Sequence, residues 1–170
     1  MENREFITEN FKETQKIAGV LARQIIQKLS DDKALVIGLE GELGAGKTTF
    51  VKGFAKALGV KEKILSPTFV LMKFYRIRKS AIQSLENSRA RSRGSRVTRI
   101  ADFQFLIHID AYRLKDHRDL IPLGIKEMLS NPENIVLIEW SDRVAKILPK
   151  KYIQIHFDHV NENTRKISIK

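Results

Sequence analysis

The sequence predicts an α/β sandwich built on a mainly parallel sheet, and three observations predict it. The run Ala34-Leu35-Val36-Ile37-Gly38-Leu39-Glu40 is short, continuous and apolar, as a strand covered on both faces must be. It passes straight into glycines, and the segment Lys47 to Leu58 that follows repeats Phe50, Phe54, Ala57 and Leu58 at helical spacing before Gly59 ends it. Beyond this strand–loop–helix unit, further apolar strands alternate with helical stretches and no internal repeat appears, the pattern of a three-layer sandwich.

The elements follow in chain order. Asn10 and Glu13 have the spacing of a capping box, and Phe11, Thr14, Ala18, Leu21, Ile25 and Leu29 recur every three or four residues, so an amphipathic helix is expected over about 11–29. Strands are expected at Phe69 to Ile77, Phe105 to Ile109, Ile135 to Ile138, Tyr152 to Phe157 and Lys166 to Ile169. The last two flank Asn161-Glu162-Asn163 and read as a C-terminal β-hairpin. A helix is expected within Leu120 to Leu129, with Pro122 blurring its start.

At 170 residues the chain is expected to form a single domain over 1–170. Its 42% hydrophobic content is ample for one core and excludes global disorder. The formal charge of +11 favours an anionic partner without choosing between nucleotide, nucleic acid and acidic protein. The absence of Cys removes disulfides, Cys-ligated metal and thiol chemistry, and agrees with a reducing cytoplasm. Met1 to Asn10 has no apolar core of a signal peptide, and no run is long enough to span a membrane.

The charge is unevenly placed. Eight cations between Arg76 and Arg99, against Glu86 alone, supply +7 of the +11, and serines fill much of the rest. Such a composition cannot offset its ordering entropy by burial, so a basic Arg/Ser-rich insertion between two strands is expected at about 76–103.

Gly41-Glu42-Leu43-Gly44-Ala45-Gly46-Lys47-Thr48 satisfies the P-loop pattern and sits where a strand hands over to a helix. Glycines let the backbone curl so that N–H groups, here those of Gly44, Ala45, Gly46, Lys47, Thr48 and Thr49, cradle a phosphate at the positive end of a helix. Lys47 is spaced to reach β- and γ-phosphates and the Thr48 hydroxyl to ligate Mg²⁺. A carboxylate should complete the site, and two apolar strands end in one: Asp110 and Glu139. Spacing does not say which binds metal. His108 alternates with apolar residues and reads as a structural histidine, Trp140 as either a base-stacking or a core aromatic, and Ser66-Pro67-Thr68 as either a γ-phosphate-sensing segment or a plain turn.

Taken together, the loop at 41–49, Ser66-Pro67-Thr68-Phe69, His108-Ile109-Asp110-Ala111-Tyr112-Arg113-Leu114, Leu120 with Gly124-Ile125, and Ile138-Glu139-Trp140 resemble one family: the small P-loop ATPase of the bacterial system that makes threonylcarbamoyladenosine at position 37 of tRNAs, the TsaE/YjeE family. The resemblance covers most of the chain except residues 76 to about 103, where the family has a short hairpin. It implies slow, Mg²⁺-dependent ATP hydrolysis that depends on the proteins of the threonylcarbamoyl-transferase complex, acting on that complex between turnovers rather than on the tRNA base. Carried over by position, Lys47, Asp110 and Glu139 match the family's functional residues, Thr48 and Glu139 its Mg²⁺ ligands, Thr68 its switch-like motif, and Trp140 and Thr14 positions near the nucleotide. Contact with tRNA would be indirect, or made through the basic insertion.

Two other classes share features with this reading. A small-molecule or nucleotide kinase would use the same loop and Mg²⁺, with Arg113, Arg118 and Arg143 as phosphate clamps, and is distinguished by an acceptor other than water. A basic nucleic-acid-binding module would rest on the Arg/Ser segment, which lacks aromatics for stacking between Arg76 and Arg99. No Asn-Lys-x-Asp signature occurs, which argues against a GTPase.

Overall fold

Seven strands form one sheet in the order β1-β7-β6-β2-β5-β4-β3. The structure, a computed structural model, describes residues 3–26, 32–78 and 103–170. In chain order the elements are β1 (Arg4–Thr8), α1 (Phe11–Ile26), β2 (Leu35–Gly41), α2 (Lys47–Ala57), β3 (Met72–Arg76), β4 (Phe105–Asp110), a 3-10 helix at His117–Leu123, α3 (Ile125–Ser130), β5 (Asn134–Glu139), a second 3-10 helix at Ser141–Ile147, β6 (Ile153–His159) and β7 (Arg165–Ile169). The central strands β6, β2, β5 and β4 run parallel, while β1, β7 and β3 pair antiparallel at the edges. This is the three-layer, P-loop NTPase-like sandwich with a C-terminal hairpin.

The alternation of strand side chains divides the core in two. Leu35, Ile37, Leu39, Leu106, Ile135 and Leu137 pack under α1 and α2, whereas Val36, Ile107, Ile109, Val136 and Ile138 face Leu120, Ile125 and Val144 of the opposite layer. Phe50 and Phe54 anchor α2, with Phe50 edge-on to Phe157 of β6 at 5.5 Å between ring centres. Each such buried ring contributes about 1.5–3 kcal/mol through burial, so α2 and the loop before it sit on a rigid floor.

Several expectations need correction. The first helix starts where its cap predicts, with the Glu13 N–H on Asn10 Oδ1 at 3.0 Å, but the Glu13 carboxylate accepts from the Glu9 N–H (2.8 Å) and the Asn10 side-chain amide (3.0 Å) rather than from the Asn10 backbone N–H. β1 was not expected; its mixed polar pattern is held by pairing with β7. β3 starts at Met72 rather than Phe69 because Pro67 to Val70 close a turn and Leu71 takes a φ of 63°, outside strand geometry. The helix expected within Leu120 to Leu129 is two pieces, since Pro122 leaves only 3-10 geometry before Gly124 turns into α3.

The sheet also claims both ends of the segment expected to be peripheral. Arg76 ends β3, Ile77 is buried with its N–H on the Gln104 carbonyl (2.9 Å), and Phe103 is buried. Residues 79–102, the body of the expected insertion, lie outside the described residues, as do residues 27–29 of the helix expected over about 11–29. Among the described residues no helix is long and apolar enough to cross a membrane.

Candidate functional site

The carboxyl ends of β2, β5 and β4 lie side by side, and each delivers one part of the site. β2 runs into the glycine loop, where Gly41 (φ 128°) passes so close to β6 that a Cβ would stand 2.3 Å from the Phe157 carbonyl oxygen. Only glycine fits there. Gly44 and Gly46 bend the loop further, with φ of 76° and 101°, and Gly46 caps α2. The register of β4 against β5 pairs Asp110 with Glu139, so the two acids stand together at the end of the sheet. Period two puts both on the α1/α2 face, above Leu106 and Leu137, where the first turn of α2 begins.

Thr48, in that first turn, donates its hydroxyl to Glu139, 2.8 Å from Oε1 and 2.9 Å from Oε2. Glu139 is buried, and His108 Nε2 lies 2.8 Å from its Oε1. Asp110, also buried, accepts from Ser66 (2.9 Å), from the Thr68 hydroxyl and from the Tyr112 N–H (3.0 Å). The Ser66-Pro67-Thr68 turn is thereby tied to the end of β4.

The spacing of Lys47 at the start of α2 predicts a side chain reaching toward a phosphate. Instead it is buried, folded back with Nζ 2.6 Å from the Gly41 carbonyl and 2.8 Å from that of Glu42, because a buried ammonium must satisfy its donors. Burial lowers its pKa, partly offset by Glu139, Asp110 and Asp142. The Trp140 ring covers it, 3.9 Å from Nζ to the ring centre. Trp140 holds a left-handed φ of 61°, a conformation costing about 1–2 kcal/mol, with its N–H on the Leu39 carbonyl at 2.8 Å. Tyr112 stacks beside it at 5.1 Å, and its carbonyl accepts from Arg143.

Lys47, Thr48, Asp110, Tyr112, Glu139 and Trp140 line a cavity of about 350 Å³, together with the glycine loop and the Ser66–Thr68 turn. Larger grooves run along α1, but their walls carry no such hydroxyl–carboxylate pair. Of the residues picked out from the sequence, Gly44, Gly46, Lys47, Thr48, Thr68, Asp110, Glu139 and Trp140 line the cavity, whereas Ala45, Thr49 and Thr14 do not. Ala45 is buried with its N–H turned back to the Glu42 carbonyl (3.2 Å), and Thr14 is buried on α1, sharing a hydrogen bond with Thr8 (2.9 Å). Tyr112 and the partnership of His108 with Glu139 were missed. The signals for Tyr112 were its place two residues after Asp110 and its membership of the 108–114 stretch that carries the resemblance, and nothing local reveals what a strand histidine touches on the neighbouring strand.

The donor set suits a hard cation. A hydroxyl and a carboxylate offer oxygen alone, the ligand type of Mg²⁺. Among the described residues no group of three or more His, Asp or Glu could cage a metal unaided, so a cation here would take further ligands from phosphate and water, which is how Mg²⁺ is usually held.

Comparison with known proteins adds an independent line. The family model described as threonylcarbamoyl adenosine biosynthesis protein TsaE matches residues 8–91 and 95–167. Relatives described as tRNA threonylcarbamoyladenosine biosynthesis protein TsaE include that of Haemophilus influenzae, 32% identical over 82% of this chain and 72% of its own length. The one from Treponema pallidum is 32% identical over 85% of this chain and 87% of its own, and the one from Bacillus subtilis 32% over 95% and 81%. Among solved structures, YdiB of Bacillus subtilis superposes with a TM-score of 0.66 at 27% identity, covering 99% of this chain and 84% of that one.

Proposed function

The chain belongs to the TsaE family of threonylcarbamoyl adenosine biosynthesis proteins, and on that basis we propose that it binds ATP with Mg²⁺ and hydrolyses it slowly, in support of threonylcarbamoyl transfer to tRNA by partner proteins of that pathway. The observation that carries the nucleotide reading is the pairing of the half-buried Thr48 hydroxyl with the buried Glu139 carboxylate, set at the start of a helix that follows a glycine loop. Thr48 and Glu139 would hold Mg²⁺, which when bound neutralises phosphate charge as it builds up during hydrolysis. The loop N–H groups and the positive end of α2 bind the phosphates, and Lys47 supplies a charge a short swing from its carbonyl partners. Asp110 orients the attacking water or a metal-bound water, with Ser66 and Thr68 holding its carboxylate. Trp140 and Tyr112 wall the cavity and keep bulk water from Lys47. The same reading puts the protein in the cytoplasm, with tRNA met through partners or through the basic segment.

Isothermal titration of ATP and ADP with Mg²⁺ against the natural chain and Lys47→Ala tests it. The natural chain should bind both, and the variant should lose about tenfold or more in ATP affinity through loss of the ammonium charge, with circular dichroism checking that removal of its contacts to the Gly41 and Glu42 carbonyls and to Trp140 leaves the protein folded. Equal ATP affinity in two folded proteins would sink the assignment.

A further inference from the structure

His108 lies in the middle of β4, fully buried, on the face that carries Leu106 and Asp110. Its two nitrogens are treated unequally. Nε2 is 2.8 Å from Glu139 Oε1, and Nδ1 is buried with no hydrogen-bond partner. A carboxylate acceptor at Nε2 requires a proton there, and Nδ1 is left without a partner. For filling the core this is a poor residue, because leucine would pack the same layer without an orphaned polar atom. What histidine offers and leucine does not is the donor to Glu139.

Glu139 needs that donor. The Thr48 hydroxyl lies 2.8 and 2.9 Å from the two carboxylate oxygens, so its single proton does not distinguish them and by itself does not set the terminal torsion of Glu139. His108 engages Oε1 alone and so distinguishes the two oxygens. It does so from a rigid place: β4 is paired on both sides, with His108 opposite Leu137 of β5 and Lys73 of β3.

We propose that His108 is a positioning residue, whose Nε2–H holds the Glu139 carboxylate turned toward Thr48 at the place where those two side chains would hold Mg²⁺. The inference rests on the Mg²⁺–ATP reading above. Outer partners of metal ligands of this kind change metal affinity by about 10–100-fold when removed.

The test measures ADP affinity by titration calorimetry in EDTA and across a Mg²⁺ series, for the natural chain, His108→Leu, His108→Asn and His108→Gln. The expected result is that Leu and Asn need at least about tenfold more Mg²⁺ to reach the same gain in ADP affinity, while their affinity in EDTA stays within about twofold of the natural chain. Glutamine, whose amide N–H reaches where Nε2 stood, should recover most of the Mg²⁺ response, and Asn, one methylene shorter, should not. Urea unfolding in EDTA reports packing separately. A Mg²⁺ midpoint unchanged in folded Leu and Asn variants, with only apo stability altered, would overturn the proposal. No Mg²⁺-dependent ADP binding by the natural chain would instead overturn the nucleotide reading beneath it.

Discussion

Alanine at Gly53 and alanine at Gly19 should move stability in opposite directions, although both glycines lie inside helices that pack on each other. A Cβ at Gly53 of α2 would stand 2.3 Å from the Gln15 carbonyl oxygen and 2.6 Å from its Cα, both backbone atoms of α1. A relaxed carbon–oxygen contact needs roughly 3.3 Å, so α1 and α2 must part by about 1 Å. Backbone cannot rotate away, which puts the cost near the upper part of the overpacking range, about 3 kcal/mol. Helix propensity returns about 1 kcal/mol, leaving a net loss of about 2 kcal/mol, or about 4–8 °C in Tm for a chain of this size. At Gly19 the nearest atoms would be the Ala57 Cβ at 3.6 Å and the Gly53 oxygen at 3.8 Å, ordinary contact distances. There the propensity gain stands alone, and Gly19→Ala should stabilise by about 0.5–1 kcal/mol. Urea and thermal unfolding followed by far-UV circular dichroism read both, with an unchanged m value showing that stability and not the denatured state has moved. Because α2 begins with Lys47 and Thr48, Gly53→Ala should also weaken ADP binding, and Gly19→Ala should not. A Gly53→Ala protein as stable as the natural chain, or a Gly19→Ala protein that loses as much, would refute the packing reasoning.

Other changes address the site and its surroundings. Glu139→Ala and Asp110→Asn should each lower ATP turnover by at least about tenfold, on the order of 1.4 kcal/mol of transition-state stabilisation, measured as phosphate release with the partner proteins present. Wild-type rates in both would remove these two buried acids from the chemistry and leave them a structural role only. Asp116 is held at a pKa of about 2, below its ordinary 3.8, first by the Arg118 side chain and then by the Arg118 N–H. Its contribution is therefore present above 3.8 and lost as pH falls through about 2, so the gap in urea midpoint between the natural chain and Asp116→Asn should close over that window. A gap that persists at the acid end would assign the effect to something other than charge. Replacing residues 79–102 by a short Gly/Ser turn should leave ADP affinity unchanged while removing any salt-sensitive retention of tRNA or of partner proteins, assayed by pull-down at low and high salt.

What could be read from the sequence was what is local in the chain. The apolar run at 34–40, the glycines after it and the helical spacing of Phe50 and Phe54 are contiguous signals, and they placed β2, the loop and α2 with the residues that line the cavity. The acids ending β4 and β5 were legible for the same reason, as was the hairpin of β6 and β7. Tertiary structure alone decided what depends on a partner distant in sequence. β1 carries too few apolar residues to announce itself and exists because β7 offers a row of unpaired N–H and C=O groups. Thr14 sits under the influence of Thr8 rather than the cavity, and Lys47 is turned back by two carbonyls and covered by Trp140. The role open to His108 depends on which residue of β5 comes within reach of its Nε2, and that is settled by strand register. Periodicity reports which face a side chain takes, because that follows from backbone geometry one residue at a time; which side chains then meet across that face is fixed only when the sheet closes.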